Sequence, residues 1–375
     1  MKYKFLILLS ILFFLKPFLE ASSLTITMQD HFDNRSYKKS VTSFKDKIKK
    51  IVIFCPFYVS GGPENLCQIY ASLKKEDFEV YMFWLEKDYS KISKKYKNGS
   101  WYLSPCESHL IPKVYQENYN VNYLDHELKL DEHTLIIVPE IWCDFINFFE
   151  ESFKMIAWLS IDNLYLLGKS EICRELIHEK RLGDLDCIHA AQAPWIQKKL
   201  HDWGANSILL EDYISNNYFI SKVNEKIDNS IAFYPKKCSE ISSFFIELYP
   251  SFNYIRLENL DQLGMISALD SAKIYIDFGF FPGKDRIPRE ALLRNCVIFI
   301  RNVGCATDYD SFPIDDYFRF SEEDINDGTL YKKVQEVLMD YENMQIKQSF
   351  MRNQVLKEKE TFNQRIQEYF GIPLK

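Results

Sequence analysis

The sequence reads as two α/β domains, each a parallel sheet covered by helices, and three observations predict it. The chain has 375 residues, too many for one ordinary core and suited to two domains of common size. Short runs of β-branched and aromatic residues recur with helical segments between them, the pattern of βαβ units. Those runs are apolar throughout rather than alternating, as in sheets buried on both faces.

Composition limits the function before any motif is read. Hydrophobic residues at 47% supply two cores, and charged residues at 26% suit a soluble surface. A formal net charge of −7 argues against nucleic-acid binding, which needs a basic footprint. The nine cysteines include no C-x-x-C pair and no compact Cys/His cluster, so no structural zinc site is expected. They read as reduced thiols, with Cys55, Cys187 and Cys296 acting as small hydrophobes in apolar runs.

Segment 1–21 stands outside the fold. Lys2 and Lys4 precede an apolar run over 5–15, and 19–23 offers a cleavage region, the shape of a secretory signal. A membrane anchor is the alternative, so the segment points to export or to membrane association. Residues 22–48 are rich in lysine and read as a solvated linker, or as a segment resting on anionic lipid.

The first domain spans 49–214. Residues 51–54 form a buried strand, ended by Pro56 and then Ser60, Gly61, Gly62 and Pro63. Pro63 suits a first helical turn, and Leu66, Ile69, Tyr70 and Leu73 recur on one helical face. Strands follow at 80–84, 135–138, 155–159, 187–190 and 208–210, with a helix over 195–203. His189, between Ile188 and Ala190, reads as a hydrogen-bonded core residue. Residues 215–229, with four asparagines, read as a linker. The second domain, 229–328, repeats the alternation with strands at 231–234, 254–257, 274–277 and 296–300, and helices at 239–248 and 263–269. Residues 329–375 are strongly helical and are expected to pack across both domains.

The richest stretch for chemistry is 277–290. Asp277 ends a strand, a loop carrying Gly283, Lys284 and Arg286 follows, and Pro288 opens a short helix. Free N–H groups and the positive end of a helix make a phosphate site, and Lys284 and Arg286 add charge. Paired surface charges, with Asp285 beside Arg286, are the structural alternative.

At this point the chain resembles the GT-B glycosyltransferases. Residues 290–298, EALLRNCVI, look like that family's E-A-x-A-x-G-x-P-V segment, and Gly61–Gly62 look like its glycine pair after the first strand. The resemblance implies two Rossmann-like domains facing a central cleft, with the nucleotide sugar held by the second and the acceptor by the first. Glu290 inherits a place at the nucleotide ribose or donor sugar. Gly61 and Gly62 let the backbone approach the donor. Lys236 and Lys237, after the strand at 231–234, stand where the family places a basic residue against the diphosphate. Where many members carry an earlier acid, this chain has Pro282.

Asp162, after the strand at 155–159, is a candidate base for the acceptor hydroxyl, with ordinary turn chemistry as its alternative. The D-x-D triplets at 184–186 and 308–310 have a form used by metal-dependent sugar transferases of another fold, but their surroundings do not support it. No essential metal and no cofactor beyond the nucleotide-sugar co-substrate are expected. The acceptor, whether glycan, lipid or protein, is open. A sugar-nucleotide epimerase of the same architecture and a catalytically silent glycan-binding or assembly protein are the alternatives.

Overall fold

The computed structural model describes residues 24–27, 47–76, 78–85, 92–106, 111–166, 170–219 and 225–370; the signal-like segment 1–21 lies outside them. Among the described residues no helix is long and apolar enough to cross a membrane.

Two parallel sheets organise the chain. The first has six strands: β2 (Lys50–Pro56), β3 (Glu79–Leu85), β7 (Thr134–Pro139), β8 (Phe153–Trp158), β9 (Ile188–Ala191) and β10 (Ser207–Leu209), in the order β10-β9-β8-β7-β2-β3. Every neighbouring pair runs parallel. Alternation along each strand divides its side chains between two covered faces. Val52, Phe54, Ile136 and Val138 pack with Phe149 and Trp158 on one face, while Ile51, Ile53, Leu135 and Ile137 pack with Leu66 and Tyr70 on the other. This two-sided burial explains the uninterrupted apolar runs.

The second sheet has five strands: β11 (Ser230–Phe233), β12 (Asn253–Arg256), β13 (Ile274–Asp277), β14 (Val297–Arg301) and β15 (Arg319–Phe320), in the order β12-β11-β13-β14-β15. All of its pairs are also parallel. In each sheet the first strand has its two successors on opposite sides. The order therefore reverses between β2 and β7 in one domain and between β11 and β13 in the other, and ligands of open α/β sheets bind at such crevices.

A four-stranded antiparallel sheet is the element the sequence reading lacked. It joins β1 (Leu24–Thr27), β4 (Ser93–Lys97), β5 (Ser100–Leu103) and β6 (Leu128–Leu130). Part of the stretch read as linker is thus a strand. Asn98 and Gly99, at φ 51° and 72°, make the two-residue turn between β4 and β5, the Asn-Gly signal for a hairpin. Its flanking strand, SKKYK, is too polar to read as a strand alone, and pairing decides it.

Cysteine chemistry departs from the expectation that all thiols are reduced. Cys143 and Cys173, thirty residues apart, form a disulfide, and the other described cysteines are free. The fold packs the 3-10 segment Glu140–Phe148 against the helix Glu171–His178 and so brings them together, a proximity that sequence spacing does not show.

The last helix, Ser349–Tyr369, crosses from one domain to the other. Its Met351 and Val355 join the core that contains Phe299, whereas Phe362 and Ile366 join the face that contains Leu66 and Tyr70. At its start Gln348 both donates to Ile298 O at 2.8 Å and accepts from Ile298 N at 2.9 Å.

Candidate functional site

The two crevices face each other, and the loop 278–285 with the helix that follows it connects them. That helix, α8 (Arg286–Leu293), begins two residues before Pro288. The side chain of Arg286 reaches out of the second domain into the first. Its Nη2 donates to Glu64 Oε1 at 3.1 Å, and its Nη1 donates to Asp212 Oδ2 at 3.1 Å and to Tyr213 O at 3.2 Å. Glu290, one turn along α8, lies 3.5 Å from Arg286 Nε.

Gly61 opens the helix Gly61–Lys75 beneath this guanidinium. A Cβ at Gly61 would stand 3.1 Å from Arg286 Cδ, and one at Gly62 would stand 3.3 Å from Leu159 Cδ1. Gly61 is thus packed against the second domain, whereas Gly62 is packed against Leu159 of its own domain. Glu64, in the first turn of that helix, also accepts from the Tyr119 hydroxyl at 2.7 Å. Ser60, just before the pair, is held by Tyr115, whose hydroxyl accepts from Ser60 N and donates to Ser60 O, each at 2.9 Å.

A second layer of charge fixes the loop from behind. Arg289 is fully buried; its Nη2 donates to Asp212 Oδ1 at 2.7 Å and to Lys284 O at 3.0 Å, and its Nη1 donates to Glu358 Oε2 at 2.8 Å. Lys284 Nζ lies 2.8 Å from Glu211 Oε1 and 3.1 Å from Glu358 Oε1. Gln192 closes the junction, donating to Asp212 Oδ1 at 2.7 Å and accepting from Lys284 N at 3.0 Å. A cavity of about 230 Å³ sits beside this network, lined among others by Glu211, Lys284, Glu358 and Arg365. A larger one, about 550 Å³, lies at the other end of the first sheet beside Ser152, Lys154 and His189.

Lys237 and Lys236 take different directions. Lys237, after β11, is ion-paired with Asp285 and lies 3.6 Å from Asp277. Lys236 is exposed and donates to Asn259 Oδ1 at 3.0 Å. Burial works to lower the Lys237 pKa, and Asp277 and Asp285 overcome it and hold the ammonium above its ordinary value. Asp285, pushed up by burial and pulled back by Lys237, stands at about 6. Burial also raises Glu290, against the attraction of Arg286. Gly279 has no room for a side chain, since a Cβ would meet Lys237 Cδ at 2.6 Å.

Asp162 sits in the short helix Ile161–Leu166, next to the domain junction where Ile161 N donates to Pro282 O at 3.0 Å. Its Oδ2 is buried and without a hydrogen-bond partner among the described residues, and burial raises its pKa. The fold thus brings Gly61, Lys284, Arg286 and Glu290 to the junction of the two domains, with Gly62 next to Gly61, Lys237 held at Asp285 ahead of α8 and Asp162 next to the Ile161–Pro282 contact, and it turns Lys236 toward Asn259.

Four carboxylates that the sequence reading did not weigh take part: Glu64, Asp212, Glu140 and Glu358. The first three had a local signal, because each follows a strand or strand-turn at its carboxyl end. Glu140, directly after β7, is buried, and its Oε2 accepts from Leu159 N at 3.0 Å. His189 is in the core, accepting at Nδ1 from Trp158 Nε1 at 3.0 Å, and burial lowers it to about 4. The D-x-D acids are engaged elsewhere: Asp184 with Arg181, Asp186 with Lys154, and Asp308 and Asp310 with Lys198.

No protein-family model matches the chain, and no curated protein matches it. Solved structures do. Sucrose-phosphate synthase from Thermosynechococcus elongatus superposes with a TM-score of 0.52 and 12% identity, over 86% of this chain and 95% of that one. TarM, from S. aureus, gives 0.57 and 8%, over 86% and 98%. A trehalose-6-phosphate protein from E. coli, determined with UDP-2-fluoro glucose, gives 0.54 and 9%, over 87% and 99%. Identities this low establish likeness of fold alone. The paired parallel sheets, their facing crevices and the helix that crosses between them are the GT-B fold, the architecture of the glycosyltransferases that this chain superposes on.

Proposed function

We propose that the chain transfers a sugar from a nucleotide-sugar donor to an acceptor hydroxyl in the cleft between its two domains. The observation that carries this reading is the meeting of Arg286, at the start of α8, with Gly61 and Glu64 of the facing domain. The start of α8, the Arg286 guanidinium and Lys237, which pairs with Asp285 just ahead of α8, are the groups that would take a diphosphate. Glu290 would bond the ribose or donor sugar.

In the proposed step the acceptor oxygen attacks the anomeric carbon, and the bond from that carbon to the diphosphate oxygen breaks. The electron pair leaves with the nucleoside diphosphate, and Asp162 takes the acceptor proton. Arg286 and Lys237 stabilise the charge on the leaving group, so no metal takes part. Burial between the domains keeps water from the donor. Chelation with EDTA is expected to leave the rate unchanged.

The test is thermal unfolding of the full chain with a series of nucleotide sugars. A ligand at about a hundred times its Kd adds about 2.7 kcal/mol to the folded state. Stabilisation by at least one donor, lost in the Arg286→Ala, Glu290→Gln double variant, is expected; a shift that survives both changes overturns the placement of the donor. Incubation with donor alone separates transfer from epimerisation, since an epimerase needs no acceptor.

A catalytically silent binder is the second reading. It is favoured by the carboxylates that already pair with Arg286 and Lys237. Donor binding without turnover across a broad acceptor panel would establish it.

A further inference from the structure

We propose that the carboxyl ends of β2, β7 and β8 form an acceptor subsite for a pyranose, with Phe57 and Tyr58 lying against the sugar's apolar face and Ser160 and Asp162 bonding its hydroxyls. The proposal rests on the glycosyl-transfer reading and names the substrate class of that same cleft.

Strand register sets the parts side by side. β2 pairs with β7, and β7 pairs with β8, so the segments leaving their carboxyl ends are neighbours. Glu140, at the end of β7, ties them together: it accepts from Leu159 N at 3.0 Å on one side. On the other, its charge adds to burial in raising the Tyr58 hydroxyl. Gly62, close against Leu159, keeps the glycine pair beside this face.

Two kinds of group on the face lack a partner. Phe57 is 39% exposed, Tyr58 44% and Val59 64%, three apolar positions in a row between the buried carboxyl end of β2 and the glycine pair. Contiguous exposed apolar surface beside a cleft marks a binding surface. Next to it, Ser160 is only 7% exposed, yet its Oγ has no hydrogen-bond partner among the described residues, and neither has Asp162 Oδ2. A buried polar atom left unpaired costs about 1–3 kcal/mol, and a ligand that bonds it recovers that cost.

A pyranose answers both needs at once. Its C–H face lies on aromatic rings, and its hydroxyls both donate and accept. An alkyl chain would cover Phe57 and Tyr58 and leave Ser160 and Asp162 unpaired. The second domain closes the far side, where Pro282 O holds Ile161 N and Phe280, two residues earlier, is exposed.

Saturation-transfer NMR on the full chain tests the proposal, with glucose, galactose, mannose, N-acetylglucosamine and their β-linked disaccharides as probes and phosphatidylglycerol vesicles as the lipid arm. At least one saccharide is expected to receive saturation, with binding at least about fivefold weaker in the Phe57→Ala, Tyr58→Ala double variant and in Ser160→Ala. Stabilisation by a nucleotide sugar should be unchanged in these variants. Failure of every saccharide to bind, binding to vesicles alone, or saccharide binding indifferent to all three substitutions overturns the proposal. If a nucleotide sugar binds and no saccharide does, the transfer reading stands without this subsite. If a saccharide binds through these residues and no nucleotide sugar does, the subsite stands without the transfer reading.

Discussion

Arg286 Nη2 donates to Glu64 Oε1 at 3.1 Å across the cleft, although 222 residues separate the two in the chain. The pair joins the first helix after the glycine pair to the helix start of the second domain. It also places a carboxylate where a donor phosphate would compete for the same guanidinium. Glu64 and Asp212 both pair with Arg286, so a donor phosphate bound there would exchange one anionic partner for another rather than fill a bare cation.

Asp212 is the hub of the buried network, accepting from Arg286, Arg289 and Gln192. Asp212→Asn removes the charge that compensates Arg289, and Glu358 alone remains opposite it. Breaking a buried pair in this way is expected to cost about 3 kcal/mol, read by urea denaturation. A loss below about 1 kcal/mol would mean that Glu358 suffices.

Glu140 makes stability depend on pH. Burial raises its carboxyl from 4.5 to about 8, so the acid form is favoured in the folded chain. The resulting stabilisation is fully present below the unfolded pKa of 4.5 and is lost as pH rises through about 8. Glu140→Gln is neutral throughout and is expected to lose less stability than the parent chain across that window. Parallel denaturation curves for the two proteins, measured at intervals across the window, would show that Glu140 does not carry the effect.

Gly283 packs its backbone directly against the first domain. A Cβ there would stand 2.6 Å from Leu159 O and 3.1 Å from Gln192 Oε1. Gly283→Ala is expected to push the loop 278–285 off the first domain at a cost of about 1–3 kcal/mol. Stabilisation by nucleotide sugars should shrink with it, as thermal unfolding with and without ligand would report.

Asp162 is assigned the acceptor proton. Asp162→Asn is expected to lower kcat by about 10²–10⁴-fold while donor binding, measured by titration calorimetry, stays the same. An unchanged kcat would remove Asp162 from the chemistry.

Much of the fold was legible because buried parallel strands announce themselves. The runs at 51–54, 135–138 and 274–277 each lie within an observed strand, and the helix read at 239–248 is observed as Ser239–Leu248. The antiparallel sheet escaped because β4 is polar and β4 and β5 are only partly buried. A strand such as SKKYK is stabilised by its neighbours and not by its own pattern. Of the candidate donor-side residues, Arg286 and Glu290 stood out by their place after a strand. Glu64 was visible in the motif beside Gly61 and Gly62, but its partner was not.

The sequence by itself determined the alternation of strands and helices, the glycine pair after the first strand and the charged loop ahead of α8, since all of these follow from local propensity and burial. Tertiary structure alone decided which charges meet. Lys237 turns to Asp285 while Lys236 turns to Asn259, Cys143 finds Cys173, and Arg286 finds Glu64 and Asp212. Each of these contacts joins segments far apart in the chain, and their partners are set by how the two sheets and the crossing helix pack, for which no local pattern is a proxy.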